Sequence, residues 1–261
     1  MREAVSADGT RLAYERLGDG PPLVLVGGAT TDRACMRPTA EALTRDFAVL
    51  NYDRRGRGDS GDTQPFAVER EIEDLAAVIE AAGGSAALYG HSSGAALVLR
   101  AAVAGLPVER FVMHEPPYNP EPAEDAREYH RALHALLRDG RRGDALELFF
   151  TGTGMPGEMV AELRASPYWA PLEALAPTLA YDSAAMGDAE GGGVPRDLLA
   201  AAPPVPALVL CGGDSPEWFL ETGRAIAAAL PDGRFQVLEG EGHVVEPDRL
   251  APVLAGFLAS G

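Results

Sequence analysis

The sequence predicts an α/β protein: a mostly parallel, eight-stranded sheet flanked by helices, with a helical segment inserted late in the chain. Three observations lead there. Short β-type apolar runs alternate with amphipathic stretches of helical period. A turn of small residues at 90–94 joins one apolar run directly to a helical stretch. Between residues 117 and 203 the alternation pauses, and the chain becomes helical, aromatic and broken by Pro and Gly.

Taken in order, residues 2–5 and 11–16, separated by Ala7-Asp8-Gly9-Thr10, read as an opening hairpin. Residues 22–26, 48–52, 86–89, 110–114, 207–211 and 234–238 follow as apolar strands, the pattern of a sheet covered on both faces. Helices fit between them. Over 68–82 the spacing puts Val68, Ile72, Leu75, Val78 and Ile79 on one face, and 218–230 and 250–258 behave similarly. In the interrupted stretch, 129–137 and 145–150 are candidate helices and Gly191-Gly192-Gly193 is a candidate flexible joint. The expected organisation is a core of residues 1–116 and 204–261, with 117–203 a helical cap over the carboxyl edge of the sheet. No internal repeat stands out.

The chemistry concentrates in two short segments. Gly90-His91-Ser92-Ser93-Gly94 lies between the apolar Ala86-Ala87-Leu88-Tyr89 and the small-residue Ala95-Ala96-Leu97-Val98-Leu99, so it reads as strand, tight turn, helix. Such a turn holds its middle residue, Ser92, in a strained backbone geometry, and only small flanking residues let strand and helix come close enough. The second segment, Gly240-Glu241-Gly242-His243, follows a strand and precedes the last helix. In an open parallel sheet, loops after different strands converge at the carboxyl edge, which would bring His243 to Ser92. A neutral imidazole can take the proton of an attacking serine and return it to the leaving group. Other histidines compete less well. His91 adjoins Ser92 but is expected to point away from the elbow. His130 and His134, four residues apart on a candidate helix, lack a third metal ligand nearby.

With these segments in place, the chain resembles the α/β-hydrolase superfamily, in its serine-hydrolase branch, over nearly its whole length. Asp53-Arg54-Arg55-Gly56-Arg57-Gly58-Asp59-Ser60 is similar to that family's loop after the fourth strand, and Gly242-His243 followed by Glu246-Pro247 to its histidine segment. Asp53 and the Arg-rich turn read as structural. The resemblance implies a triad of nucleophile, acid and histidine, and an oxyanion hole made by the backbone N–H groups of Ser93 and Ala29. Where many relatives carry His-Gly, this chain has Gly27-Gly28, which removes a side chain that usually braces the loop. The acid stays open between two carboxylates. Asp214 follows the strand where most members keep their acid, but one position off the usual spacing. Glu115, in His114-Glu115-Pro116-Pro117, ends the preceding strand at a second site that some haloalkane dehalogenases and certain lactone hydrolases use.

Composition bounds the partners. The formal net charge of −17 argues against nucleic acid and anionic membrane surfaces. Every basic side chain is Arg, so no Lys is available as base or Schiff-base former. Cys35 and Cys211 make neither a disulfide framework nor a zinc pattern, and no phosphate loop or metal motif is present. No cofactor and no metal are therefore expected. The polar, acidic start of the chain and the lack of a long apolar run lead to the expectation of a cytoplasmic protein. The expected partner is a small, largely neutral molecule; a homodimer stays open. Ser rather than Asp at the elbow favours an acyl-enzyme over an alkyl-enzyme, so the expected activity is hydrolysis of a carboxylic ester or lactone. Tyr118, Phe149, Tyr168, Trp169 and Tyr181 are candidates to line the pocket, or else form the cap's own core. A cyclase or lyase on the same fold, or a slow ligand-binding receptor, are the alternatives.

Overall fold

The fold is described for residues 1–259 from a computed structural model. Eight strands form one sheet: β1 (Arg2–Val5), β2 (Arg11–Leu17), β3 (Pro22–Val26), β4 (Ala48–Tyr52), β5 (Ala86–His91), β6 (Val108–His114), β7 (Ala207–Gly212) and β8 (Gly233–Leu238). Their spatial order is β1-β2-β4-β3-β5-β6-β7-β8, with β2 antiparallel to both neighbours and every later pairing parallel. From β3 the chain goes one way to β4 and then back across to β5, so the loops after β3 and β5 leave the sheet in opposite directions. A crevice opens where such loops diverge, and ligands of open α/β sheets bind there. Ser92 and the Gly27-Gly28 loop both lie at this point.

The apolar runs are strands because both sheet faces are buried. Along β3, Val24 and Val26 join one apolar layer while Leu23 and Leu25 join the other. Along β7, Ala207 and Val209 alternate with Leu208 and Leu210 in the same way. The edge strand β8 instead alternates between partly and fully exposed positions until its last residue, Leu238, which is buried.

Helices α1 (Arg33–Ala42), α2 (Val68–Ala82), α3 (Ser93–Val103), α10 (Glu217–Ala229) and α11 (Pro247–Leu258) flank the sheet. Helix α1 was not apparent in the sequence, since it contains Pro38 and buries only Met36 and Ala40. The buried face of α2 also differs from the apolar stripe expected. It carries Glu71 and Asp74 beside Leu75, Val78 and Ile79, whereas Ile72 is only half-buried. Arg54 and Arg55 cause the difference, pairing with Glu71 and Asp74 at 2.7 Å.

Between β6 and β7 the chain forms α4 (Glu124–Arg138), α5 (Arg142–Gly152), α6 (Gly157–Ala165), α7 (Trp169–Leu175), α8 (Leu179–Met186) and α9 (Arg196–Ala200). Helices α4 to α8 share an apolar cluster of their own, built on Leu133, Leu146, Trp169 and Leu179, while Leu199 of α9 joins the main core. The Gly191-Gly192-Gly193 segment is a hydrogen-bonded crossing rather than a free joint. Asn119 N–H donates to Gly192 O at 2.8 Å, Ala123 N–H to Gly191 O at 2.9 Å, and Val194 N–H to Asn119 O at 2.9 Å. A side chain at Gly193 would come within 2.7 Å of Pro122 N, so glycine serves close approach there.

Candidate active site

Strand β5 runs straight into α3 through Ser92, which sits at φ 55°, ψ −124°. Glycines at 90 and 94 make this possible by proximity. A Cβ on Gly90 would lie 2.8 Å from Ala95 Cα, and one on Gly94 would run into Val26 O and come within 2.9 Å of Gly27 O. Ser92 N–H donates to His114 O at 2.9 Å, which ties the elbow to the end of β6.

Among the described residues, the non-glycine residues with positive φ are Thr30 (56°), Ser92 (55°) and Glu115 (51°). All three stand just past the carboxyl ends of neighbouring strands β3, β5 and β6. Backbone strain of this kind persists only where the surroundings over-determine it, and it gathers at functional sites. At Glu115 the surroundings are visible. The residue is fully buried, its N–H donates to Leu210 O at 2.8 Å, and its Oε1 accepts from Gly212 N–H at 2.7 Å and Ser215 Oγ at 3.0 Å. Its other oxygen, Oε2, lies 3.2 Å from His243 Nδ1.

The structure thus brings Glu115 and His243 together and leaves Asp214 exposed, with its N–H donating to Glu241 O at 2.9 Å. The His243 side chain is 43% exposed. With Nδ1 directed to the carboxylate, Nε2 is the nitrogen left for proton exchange. Among the described residues no hydrogen bond reaches Ser92 Oγ.

His91 does not simply turn away from the site. Its Nε2 lies 2.8 Å from His243 O and its ring 4.7 Å from the His243 ring. A carbonyl only accepts, so Nε2 carries the proton and His91 braces the loop that presents His243. Burial, with the neighbouring His243 next in weight, pulls the His91 pKa down to about 4 and keeps the ring neutral.

The loop after β3 lies against the elbow: a Cβ on Gly28 would come within 2.9 Å of Ser92 Cβ. The bracing that Gly27-Gly28 lacks in side chains comes from elsewhere. Arg54 Nη1 donates to Gly27 O at 3.1 Å; Arg57 Nη1 and Thr31 Oγ1 (2.7 Å) donate to Gly28 O. Ser93 is the first residue of α3, so its N–H has no acceptor within the helix and stands at the helix's positive end.

Arg54, Arg57 and Ser93 meet at one carboxylate. Asp182 of α8, buried, accepts from Arg54 Nη1 at 2.7 Å, from Arg57 Nη2 at 2.8 Å and from Ser93 Oγ at 2.7 Å. Burial works against its charge, but the Arg57 and Arg54 guanidinia outweigh it and hold the Asp182 carboxyl below the usual range. Asp53 itself accepts from Asp59 N–H at 2.9 Å inside its own loop, and from the N–H (2.7 Å) and guanidinium of Arg33 at the start of α1.

The candidate lining aromatics scatter. Trp169 and Phe149 belong to the insertion's apolar cluster, Tyr118 is buried in the main core, Tyr181 stacks on Phe66 at 3.8 Å, and Tyr168 is exposed. The His130 and His134 rings lie 4.2 Å apart, tilted by 48°, and among the described residues no group of three or more His, Cys, Asp or Glu could hold a metal ion. Among the described residues no helix is long and apolar enough to cross a membrane.

Sequence reasoning missed the reach of Arg54 and Arg57 into the Gly27-Gly28 loop, and all of Asp182. The Arg-rich turn was a signal for the first. Nothing local marks Asp182, which is 125 residues from Arg57.

Comparison with known proteins adds a family frame. The model of the alpha/beta hydrolase family matches residues 23–253. An alpha/beta hydrolase from Sphaerobacter thermophilus DSM 20745 superposes with a TM-score of 0.89 at 50% identity, over 98% of this chain and 99% of that one. A thermophilic esterase from Thermogutta terrifontis superposes at 0.74 with 25% identity, over 99% and 97%. The N-formylmaleamate deformylase of Pseudomonas putida is 38% identical over 118 residues, 43% of this chain. The chain matches less than half the length of its curated relatives, 44% for this deformylase.

Proposed function

Because the chain belongs to the alpha/beta hydrolase family, we propose that it is a serine hydrolase that cleaves a carboxylic ester or lactone of a small to medium, largely neutral molecule. The observation that carries this reading is the pair of His243 and the buried Glu115, 3.2 Å apart, beside a serine held at φ 55°. In the proposed reaction Ser92 Oγ attacks the carbonyl carbon while His243 Nε2 takes its proton. Glu115 holds the ring and stabilises the imidazolium. The tetrahedral oxyanion sits between the N–H groups of Ser93 and Ala29. Collapse releases the alcohol, protonated by His243, and leaves an acyl group on Ser92. Water, deprotonated by His243, then frees the acid; in a lactone the alcohol and acid stay in one molecule.

A net charge of −17 supports a neutral rather than an anionic substrate. The esterase likeness at 25% identity supports ester cleavage. The deformylase relative supports a second reading, removal of an acyl group from nitrogen by the same residues. The test is intact-mass analysis after a fluorophosphonate probe, with turnover of short p-nitrophenyl esters, a lactone and an N-formyl amide followed in parallel. One adduct is expected on the native chain, none on Ser92→Ala, and a loss of kcat/KM of about 10³-fold or more in Ser92→Ala and His243→Ala. A folded native chain that takes no adduct and turns over none of the panel overturns the proposal. Turnover of the amide alone favours the second reading.

A further inference from the structure

We propose that Asp182, from the helical insertion, is a positioning residue for the oxyanion hole, holding both of its sides at once; this rests on the hydrolase reading above. One side is direct. Ser93 Oγ donates to Asp182 Oδ1 at 2.7 Å, which fixes the residue whose backbone N–H is the first proposed donor. The other side runs through Arg57, whose Nη2 donates to both Asp182 oxygens at 2.8 Å while its Nη1 donates to Gly28 O.

The geometry of the peptide unit turns that second contact into a statement about the hole. In a planar trans peptide the C=O and the following N–H point in opposite directions. The bond between Gly28 and Ala29 is trans. Gly28 O is held on one side by Arg57 and Thr31 Oγ1, so Ala29 N–H is turned away from the guanidinium, as the second donor of the hole requires. Arg54 repeats the arrangement one peptide earlier, between Asp182 at 2.7 Å and Gly27 O at 3.1 Å, with Glu71 holding its far side at 2.7 Å. The strained Thr30, φ 56°, follows directly and marks a loop that would not keep this shape unaided.

Asp182 also couples the insertion to the core. It lies on α8, and Ala29 packs against the insertion's apolar cluster. The two proposed donors therefore share one buried carboxylate contributed by the part of the chain that would cover substrate. An oxyanion hole assists only when its donors are already aimed, because their reorientation during reaction would cancel the gain.

The test compares Asp182→Asn, Ser93→Ala and Arg57→Lys with the native chain for kcat, KM and affinity for a phenylboronic acid, which forms a tetrahedral anion on the serine. A hole that has lost its aim lowers kcat and boronate affinity together. The expected losses are about 10- to 100-fold in Asp182→Asn, by comparison with removal of a donor outright, and several-fold in Ser93→Ala, with KM within about threefold. Where Asp182→Asn fails to fold, Ser93→Ala and Arg57→Lys carry the decision. Ser93→Ala leaves every ion pair in place, and Arg57→Lys keeps a charge opposite Asp182 without the fork that reaches Gly28 O. If the folded variants keep native kcat and boronate affinity, Asp182 is a structural anchor only and the proposal falls while the hydrolase reading stands. A native chain without Ser92-dependent turnover overturns both.

Discussion

At the scale of single residues, two carboxylates compete for one role, and their surroundings differ enough to decide between them by experiment. Glu115 is buried, accepts from Gly212 N–H and Ser215 Oγ through one oxygen, and offers the other to His243. Asp214 is exposed. In the proposed reaction Glu115 must remain charged to stabilise the imidazolium; glutamine matches its shape but not its charge. Glu115→Gln is expected to lower kcat by about 10²- to 10⁴-fold, and Asp214→Asn to leave it within about threefold. Steady-state kinetics on a p-nitrophenyl ester check both, and equal losses would undo the assignment. Ser92 and His243 were legible in the sequence because each sits in a short segment that names its own backbone geometry. Glu115 was half legible, from His-Glu-Pro-Pro at a strand end, since a choice between two loops depends on how the histidine loop returns. Asp182 was not legible at all, because the tertiary fold alone brings α8 to the Arg-rich turn.

At the scale of elements, the elbow depends on how closely α3 approaches β3. Gly94 is where the two backbones nearly touch, and any side chain there must displace Val26 O or the Gly27 loop. Gly94→Ala is therefore expected to cost on the order of 2 kcal/mol of stability and most of the activity, since the displaced loop is the one beside Ser92. Gly157→Ala, at the start of α6 with open space around it, is the control and should be neutral or slightly stabilising. Urea unfolding and ester turnover of the two variants decide this, and a tolerated Gly94→Ala would mean the elbow is looser than its contacts indicate. The same closeness explains what was legible among the elements. Strands buried on both faces announce themselves as apolar runs, and the elbow helix as small residues. Helix α1, interrupted by Pro38, lacks a periodic stripe, and α2 hides two carboxylates on its buried face because Arg54 and Arg55 lie opposite, a pairing no local pattern records.

At the scale of the whole molecule, folding stability is linked to pH through buried groups that pull in opposite directions. Burial, then the neighbouring His243, holds His91 down at about 4, and burial together with His91 holds His114 well below the usual histidine range. A histidine depressed in the folded state contributes stability that is present above its unfolded pKa of about 6.5 and is lost as pH falls through the folded value. Asp188 works the other way. Burial, then Asp182, raises it to about 6, so its contribution is present below the unfolded value near 4 and lost as pH rises through 6. Over pH 7 to 4 the terms partly offset in the native chain, and the comparison that separates them uses variants. The stability that His91 provides relative to His91→Gln should shrink by about 2 to 3 kcal/mol between pH 7 and pH 4, because the unfolded native chain takes up that proton near pH 6.5 and the folded chain only near pH 4. Asp188→Asn should gain on the native chain by a similar amount as pH rises from 4 to 7. Urea midpoints at both pH values for the three proteins measure this. If the native and His91→Gln curves run parallel, His91 is as free to charge in the folded chain as in the unfolded one, and it cannot be the neutral donor that braces the His243 loop.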